Sequence, residues 1–135
     1  MRFEVTCADV AASRYAISPL IETVSALRLL AGQIPAGPLM PWAQQQTDRY
    51  RALRRAEPAI GALLHLHRPS GYNCDFIQPP PTGTGDSFAD QLAVVRATPL
   101  AQARSEIARN LAGRLDLPEY ARRIYESPDV VDRLP

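Results

Sequence analysis

Apolar residues recur at helical spacing along most of the chain, and the pattern is clearest after Ser18. Ser18 can accept hydrogen bonds from the open N–H groups of a first helical turn, and Pro19 suits the first helical position. Gly32 is typical of a helix end. The sequence therefore predicts an amphipathic helix that begins at Ser18-Pro19 and ends near Gly32. Its main apolar positions, three or four residues apart, are Leu20, Val24, Leu27 and Ala31.

The same spacing, together with typical first-turn residues, predicts further helices. Ser87 and Asp90 resemble a capping box, in which each side chain accepts a hydrogen bond from the other residue's backbone. Prolines suit the first turn of most of the others. The further predictions are a short turn at 8–13, a helix at 42–56, helices from Pro58, Ser87, Pro99 and Pro118, and the opening of one at Pro128. Together they predict a mainly α fold, a compact bundle of six to seven helices.

The first residues follow a different pattern. Arg2-Phe3-Glu4-Val5-Thr6 alternates polar and apolar side chains, which predicts one short N-terminal strand. A lone strand needs a partner, because even a two-stranded hairpin is only marginally stable. We expect that partner to come from a second subunit or from a C-terminal half of a longer protein.

The composition is that of one folded domain. The chain has 135 residues, which suits a single domain and is short for two. Hydrophobic residues make up 46% and charged residues 21%, so wholesale disorder is excluded. No apolar run approaches the roughly 18 residues of a membrane span, and a net charge of +1 provides no overall attraction to nucleic acid. The two cysteines cannot form a disulfide framework, which favours a cytoplasmic location.

One helix carries a dense basic patch. Its members, all on the predicted 42–56 helix, are Arg49, Arg51, Arg54 and Arg55. Such a patch could contact phosphate groups of a nucleic acid. The near-neutral chain and the neighbouring acids Asp48 and Glu57 favour a solvated helix face instead. Direct DNA binding through these arginines stays open as an alternative.

A loop of unusual composition contains the candidate ligand-binding residues. The segment Gly71–Pro80 combines a flexible glycine, two aromatic residues, a carboxylate and a rigid proline tail. Aromatic walls with one carboxylate suit a small organic ligand. The candidate pocket residues are Trp42, Tyr72, Asp75 and Phe76. The alternative is that the aromatic residues pack onto the core while Asp75 caps nearby N–H groups.

Cysteine and histidine residues provide the other candidate chemistry. The residues that could be assembled into a metal site are Cys7, Cys74, His65, His67 and Asp75, and cysteine and histidine are the usual ligands of zinc. The chain has no Cys-x-x-Cys motif, and a helical His-x-His directs its two rings about 200° apart. We therefore predict no metal site and no cofactor. A pair of Cys74 with His65 or His67 could activate a thiolate, so a small thiol-dependent enzyme remains a minor alternative.

Four motifs, in the same order along the chain, resemble those of a known family. Asp9–Arg14 resembles "DLA-x-x-R", Ser18–Glu22 resembles "sPl-x-E", and Val95–Pro99 resembles "vratP". The loop Gly71–Pro80 resembles "GY-x-x-DF-x-x-PP". These motifs are similar to the N-terminal region of actinobacterial ArsR-like transcriptional regulators, in which an uncharacterised helical region precedes a C-terminal winged helix-turn-helix. The resemblance covers most of residues 1–125.

The resemblance implies that residues 1–135 form a single N-terminal regulatory domain. We expect it to be a fragment of a longer, homo-oligomeric regulator that contacts DNA only through a C-terminal winged helix-turn-helix absent from this chain. The implied role is dimerisation and possible sensing of a small organic effector, without enzymatic activity. Metal sensing is not implied, because the chain lacks the paired-cysteine motif of the metal-sensing members. The main alternative is a stand-alone helical protein-interaction module.

Overall fold

The computed structural model describes residues 4–13 and 16–126. These residues form seven α-helices and no strand, so the mainly α class is confirmed. The helices are α1 (Cys7–Ala12), α2 (Pro19–Leu30), α3 (Met40–Ala56), α4 (Pro58–His65), α5 (Phe88–Arg96), α6 (Leu100–Leu111) and α7 (Glu119–Glu126), with a short 3-10 helix (Gly37–Leu39) before α3. The predicted helix opening at Pro128 lies outside the described residues.

The helix predicted after Ser18 is confirmed as α2. The Ser18 hydroxyl accepts a hydrogen bond from the backbone N–H of Ile21 at 3.1 Å, and Pro19 occupies the first turn. Leu20 and Val24 are buried on its inner face. Gly32 follows the helix with a φ of 74°, a left-handed conformation that favours glycine.

The predicted strand is wrong at the three positions that the structure describes, Glu4 to Thr6. Thr6 is instead the N-cap of α1: its hydroxyl accepts from the Asp9 N–H at 3.2 Å, and the Asp9 carboxylate accepts from the Thr6 N–H at 2.8 Å. Val5 is 75% exposed. Polar–apolar alternation specifies a strand only where a neighbouring strand pairs with it, and residues 4–13 and 16–126 contain none. Arg2 and Phe3 lie outside the described residues.

The helices pack around α2 and α4. Helix α2 contacts α3, α4 and α5, while α4 also contacts α3 and α7. A core cluster lies under the long α4–α5 connection (residues 66–87) and consists of Leu66, Cys74, Ile77 and Ile107. The connection itself therefore contributes most of this cluster, and Ile107 of α6 completes it.

Two buried polar side chains connect segments distant in sequence. Gln91 of α5 accepts hydrogen bonds from the Ser18 hydroxyl and the Leu20 N–H at the start of α2. Asn110 of α6, which is 0% exposed, donates to the carbonyls of Leu66 and Tyr72 at 2.9 and 2.7 Å. Buried amides that are hydrogen-bonded in this way position their neighbours as well as stabilising them.

The described helices are too short or too polar for a membrane span. None in the described part of the chain is both long and apolar enough to cross a bilayer. The longest, α3, has the basic residues Arg49 and Arg51 near its middle.

Candidate functional site

Three of the four predicted pocket residues lie together on the α4–α5 connection, against α6. The Tyr72 hydroxyl lies 3.4 Å from the Asp75 carboxylate, and the guanidinium carbon of Arg109 lies 4.1 Å from the centre of the Tyr72 ring. The backbone N–H of Phe76 donates to the Glu106 carboxylate at 3.0 Å. Phe76 also packs against the core cluster. Side chains of α6 thus hold this part of the connection.

Glu106 of α6 accepts several of the hydrogen bonds that hold this part of the connection. Burial alone would raise its pKa, but hydrogen bonds from Gln102, from the backbone N–H groups of Phe76 and Asp75, and from Tyr72 lower the pKa of Glu106. A carboxylate with several donors remains ionised. The loop therefore folds around a fixed negative charge, and this was not predicted from its sequence.

Trp42, the fourth predicted pocket residue, lies away from the other three. It lines an open, largely apolar cleft of about 590 Å³ that runs between α2 and the segment leading to α3. Tyr72, Asp75 and Phe76 are not among the residues that line it. The other apolar members of its lining are Ala26, Leu29, Ile34, Pro35, Ala36 and Leu39. The structure therefore divides the four predicted residues between two locations.

The four arginines of the basic patch on α3 lie in different surroundings. Arg54 is half-buried and donates to the Tyr50 hydroxyl at 3.0 Å and, across to α7, to the Tyr120 hydroxyl at 3.3 Å. Arg51 pairs with Asp48 at 3.5 Å in an exposed ion pair. Arg49 and Arg55 are exposed. Arg54 thus connects α3 to α7, and the remaining arginines lie on the solvent-exposed part of the helix.

A second cleft, which the sequence did not predict, has an unusually basic lining. It is open, has a volume of about 450 Å³, and lies where the C-terminal ends of α2 and α4 meet the α4–α5 connection and the segment after α6. We call it the arginine cleft, and its lining residues are Arg28, Gln33, Leu64, His65, His67, Arg68, Pro69, Ser70, Arg114 and Asp116.

Arg114 forms one wall of the arginine cleft and is heavily hydrogen-bonded. Its Nε and Nη2 atoms donate to the two carboxylate oxygens of Asp116 at 3.0 and 2.9 Å, and Nη1 donates to the His65 carbonyl. Its side chain is 8% exposed, while that of Asp116 is 72% exposed. The hydrogen bond from Arg114 lowers the pKa of Asp116 to about 2. Arg114 therefore caps the C-terminal end of α4, a favourable place for a cation.

His67 occupies the inner part of the cleft lining. It is 6% exposed, and its Nδ1 atom lies 3.3 Å from the Gln78 amide nitrogen. Its Nε2 atom is buried and has no hydrogen-bond partner among the described residues. Burial, together with the nearby positive charge of Arg28, lowers the pKa of His67 to about 4. The ring is therefore neutral at physiological pH and keeps one unpaired polar atom.

Arg28, in the last turn of α2, also has a buried side-chain nitrogen without a partner among the described residues. Its Nε atom is buried and has no hydrogen-bond partner in the described part of the chain. Most buried polar groups in proteins are hydrogen-bonded. Two of the four buried side-chain polar atoms without a partner in the described part of the chain belong to residues that line this cleft, and the other two are Arg54 Nε and Gln91 Nε2.

The neighbouring His65 connects the arginine cleft to α7. Its Nε2 atom lies 3.0 Å from the Tyr120 hydroxyl, and the two rings are tilted by 59°. Burial and the charges of Arg114 and Arg54 lower the pKa of His65. His65 is the last residue of α4 and His67 lies beyond the end of that helix, and both line the arginine cleft.

Cys74 is buried in the core, which is not the surroundings of a reactive cysteine. Cys74 is 1% exposed within the core cluster, and burial, with the charges of Glu106 and Asp75, raises its pKa to about 12. A thiol with that pKa remains protonated at neutral pH, which argues against activation by His65 or His67. Cys7 is exposed on α1. Among residues 4–13 and 16–126, no three cysteine, histidine or acidic side chains are grouped to hold a metal ion.

The arginine cleft was missed because its cations are distant in sequence. Arg28, Arg68 and Arg114 belong to three separate segments, and only the folded chain brings them together. The sole local signal is the run His65 to Arg68, which contains three basic residues.

Comparison of the chain with protein-family models, with curated proteins and with solved structures gave no match.

Proposed function

We propose that this chain is the effector-sensing regulatory domain of a cytoplasmic, homo-oligomeric bacterial transcriptional regulator of the ArsR-like class. The class is suggested by the resemblance of four ordered motifs, Gly71–Pro80 foremost among them. The sensing role is supported by a single structural observation, the arginine cleft with its buried and unpartnered His67 Nε2 and Arg28 Nε atoms. DNA contact is assigned to a C-terminal domain outside this chain.

The position of the cleft suits a sensor. Its lining comes from the end of α2, the end of α4, the α4–α5 connection and the segment after α6. A ligand that contacts Arg28 and His67 together would favour arrangements in which α2 and the connection lie close. Binding of a ligand to one arrangement of packed elements shifts the population towards it. No catalytic step is part of this proposal.

A series of contacts connects the cleft to α7. His65 lines the cleft and contacts the Tyr120 hydroxyl of α7, and Tyr125 of the same helix donates to the Ala62 carbonyl of α4. Because α7 is the last described helix, a change in the packing of α4 would be transmitted towards a domain that follows.

The experiment is chromatin immunoprecipitation of the native protein, tagged at its own locus in the source organism, followed by sequencing. A regulator gives discrete enriched sites, including promoters, and an untagged strain gives the background. Enrichment no higher than that background would overturn the proposal. The intact mass of the same tagged product shows whether a further domain accompanies this one.

The second candidate is a stand-alone interaction module, which the apolar cleft beside Trp42 favours. Trp42 is 38% exposed, and Leu39 beside it is 55% exposed. Sedimentation equilibrium of the 135-residue chain tests this. A module that self-associates through this cleft forms a dimer that Trp42→Ser weakens at least about tenfold, while the control Leu115→Ser, at a 93% exposed position, leaves it unchanged. A monomer at all concentrations removes self-association through this surface.

A further inference from the structure

We propose that the arginine cleft binds a small dianion of the phosphate-monoester class, held by Arg28, Arg68 and His67. The proposal rests on the proposed function only in treating this anion as the effector. The site itself is inferred from charge, hydrogen-bond donors and space in the described part of the chain.

The charge of the cleft matches a dianion. Three guanidinium groups, of Arg28, Arg68 and Arg114, line it, and Asp116 is the one carboxylate in the lining. With both histidines neutral, three positive charges and one negative charge leave a net charge of +2. Dianions are therefore attracted more strongly than monoanions, and cations are repelled.

The unpartnered atoms are donors. The Gln78 amide nitrogen lies 3.3 Å from the Nδ1 atom of His67, and with the amide in this orientation Nδ1 is the acceptor. A neutral imidazole then has its proton on Nε2, which is the buried atom without a partner. The Arg28 Nε is likewise a donor. An occupant must therefore bring acceptor oxygens, and the oxygens of a phosphate group are acceptors with the required charge.

Capping of helix ends explains only part of the basic lining. Arg114 and Gln33 donate to the α4 carbonyls of His65 and Leu64, so these two side chains have partners. Arg28 and His67, in contrast, each keep a buried side-chain nitrogen that has no hydrogen-bond partner among the described residues. Arg68, half-buried beside them, makes a 3.4 Å contact from Nη1 to the Asn110 carbonyl, which leaves most of its guanidinium donors for a ligand.

The available space is larger than one phosphate group. A volume of about 450 Å³ lies within the range of small-molecule sites. Pro69, which is exposed, provides apolar surface in the lining. An ester with a small organic group therefore suits the cleft better than the inorganic ion, and we expect glycerol phosphate to bind more tightly than inorganic phosphate.

The test is a titration of the 135-residue chain at pH 7.5, followed by nuclear magnetic resonance of the histidine ring nitrogens. The probes are inorganic phosphate and glycerol phosphate, with succinate as a carboxylate dianion and sodium chloride at matched ionic strength. We expect a saturable shift of the His67 Nε2 resonance with both phosphates and a much smaller shift of His65. This readout uses the wild-type chain and needs no variant to fold.

Two variants then test the assignment. Arg28→Gln removes one guanidinium from the cleft and is expected to weaken glycerol phosphate binding at least about tenfold, as loss of a charge-assisted contact does. The control Arg96→Gln removes an exposed arginine at the end of α5, away from the cleft lining, and is expected to change affinity less than twofold. Amide spectra of both variants establish that they are folded.

Several outcomes overturn the proposal. Shifts that do not saturate, or that sodium chloride reproduces, indicate general screening of surface charge. Equal loss in both variants indicates binding that is not localised to the cleft. Tighter binding of succinate than of either phosphate assigns the cleft to carboxylates. These results are independent of the immunoprecipitation experiment, so failure of the anion site and failure of the regulator assignment are distinguishable.

Discussion

The side-chain oxygen of Gln91 in α5 accepts a hydrogen bond at 2.9 Å from the hydroxyl of Ser18, the N-cap residue of α2. The same oxygen accepts from the Leu20 N–H at 3.0 Å. Gln91 is 2% exposed. One buried amide oxygen thereby satisfies two donors and connects helices that are distant in sequence.

Replacement of Gln91 is therefore expected to destabilise the domain. Gln91→Ala leaves the Ser18 hydroxyl and the Leu20 N–H without this acceptor and opens a small cavity, so we expect a loss of about 2–4 kcal/mol in the free energy of unfolding. Urea denaturation followed by circular dichroism measures it. Gln45→Ala, at an exposed position of α3, is the matched control and is expected to change stability by less than about 0.5 kcal/mol. Equal effects in both would contradict the assigned role.

Asn110 is expected to control access to the Cys74 thiol. Its amide donates to the Leu66 and Tyr72 carbonyls, which precede Cys74 in the α4–α5 connection. In the wild-type chain we expect a thiol reagent at pH 8 to modify exposed Cys7 rapidly and Cys74 only slowly. Asn110→Ala is expected to accelerate modification of Cys74 at least about tenfold, because local opening becomes easier. Mass spectrometry of tryptic peptides assigns the site; unchanged Cys74 kinetics would refute this role for Asn110.

Gly61 of α4 lies under two polar side chains. A Cβ atom at this position would lie 2.5 Å from the Arg54 Nη2 atom and 2.8 Å from the Tyr120 hydroxyl oxygen. Gly61→Ala therefore displaces the Arg54 side chain, and we expect a smaller destabilisation in an Arg54→Ala background than in wild type, by about 1 kcal/mol. A double-mutant cycle in urea measures this coupling. Gly85→Ala, where a Cβ would meet nothing within 4 Å, is the control and is expected to show no coupling to Arg54.

Stability is expected to fall as the pH drops from about 6.5 to 4. The His67 pKa is lowered from 6.5 to about 4 in the folded chain, so the unfolded chain binds a proton first and gains stability in this range. Above pH 6.5 the ring is neutral in both states and contributes no pH dependence. The shift corresponds to as much as about 3 kcal/mol of stability lost by pH 4.

Denaturation midpoints at pH 7.5, 6.5, 5.5 and 4.5 test this pH dependence. His67→Gln is expected to flatten the decline, and a smaller slope will remain from His65, whose pKa is also lowered. An unaltered slope in His67→Gln would exclude His67 as its source. Loss of the Asp116 ion pair belongs to a lower range, since its pKa lies at about 2.

Local signals in the sequence were sufficient for the helices and their starts. The Ser18 cap, the Ser87–Asp90 capping box and the start of α4 at Pro58 lie where the sequence places them. These features depend on contacts between residues three or four positions apart, which a sequence displays directly. The strand at Glu4–Thr6 was wrong because alternation is local, whereas strand pairing requires a second segment.

The sites depended on contacts that the sequence does not display. Tyr72, Asp75 and Phe76 are close in sequence and remain together, but Trp42 lines a separate cleft between α2 and its following segment. The arginine cleft forms only when Arg28, Arg68 and Arg114 converge from three segments. Prediction of such a convergence needs the packing angles of α2, α4 and α6, which arise from tertiary contacts.

The cleft owes its positive charge to guanidinium groups, and the 135 residues contain no lysine at all. A guanidinium stays protonated throughout the physiological pH range. The contribution of these groups to the attraction for an anion is therefore constant, and any dependence of binding on pH must come from the ligand or from the lining histidines His65 and His67. Lysine acetylation, which neutralises a positive charge in many proteins, has no target in these residues. The charge of the cleft's arginines therefore cannot be removed by that modification.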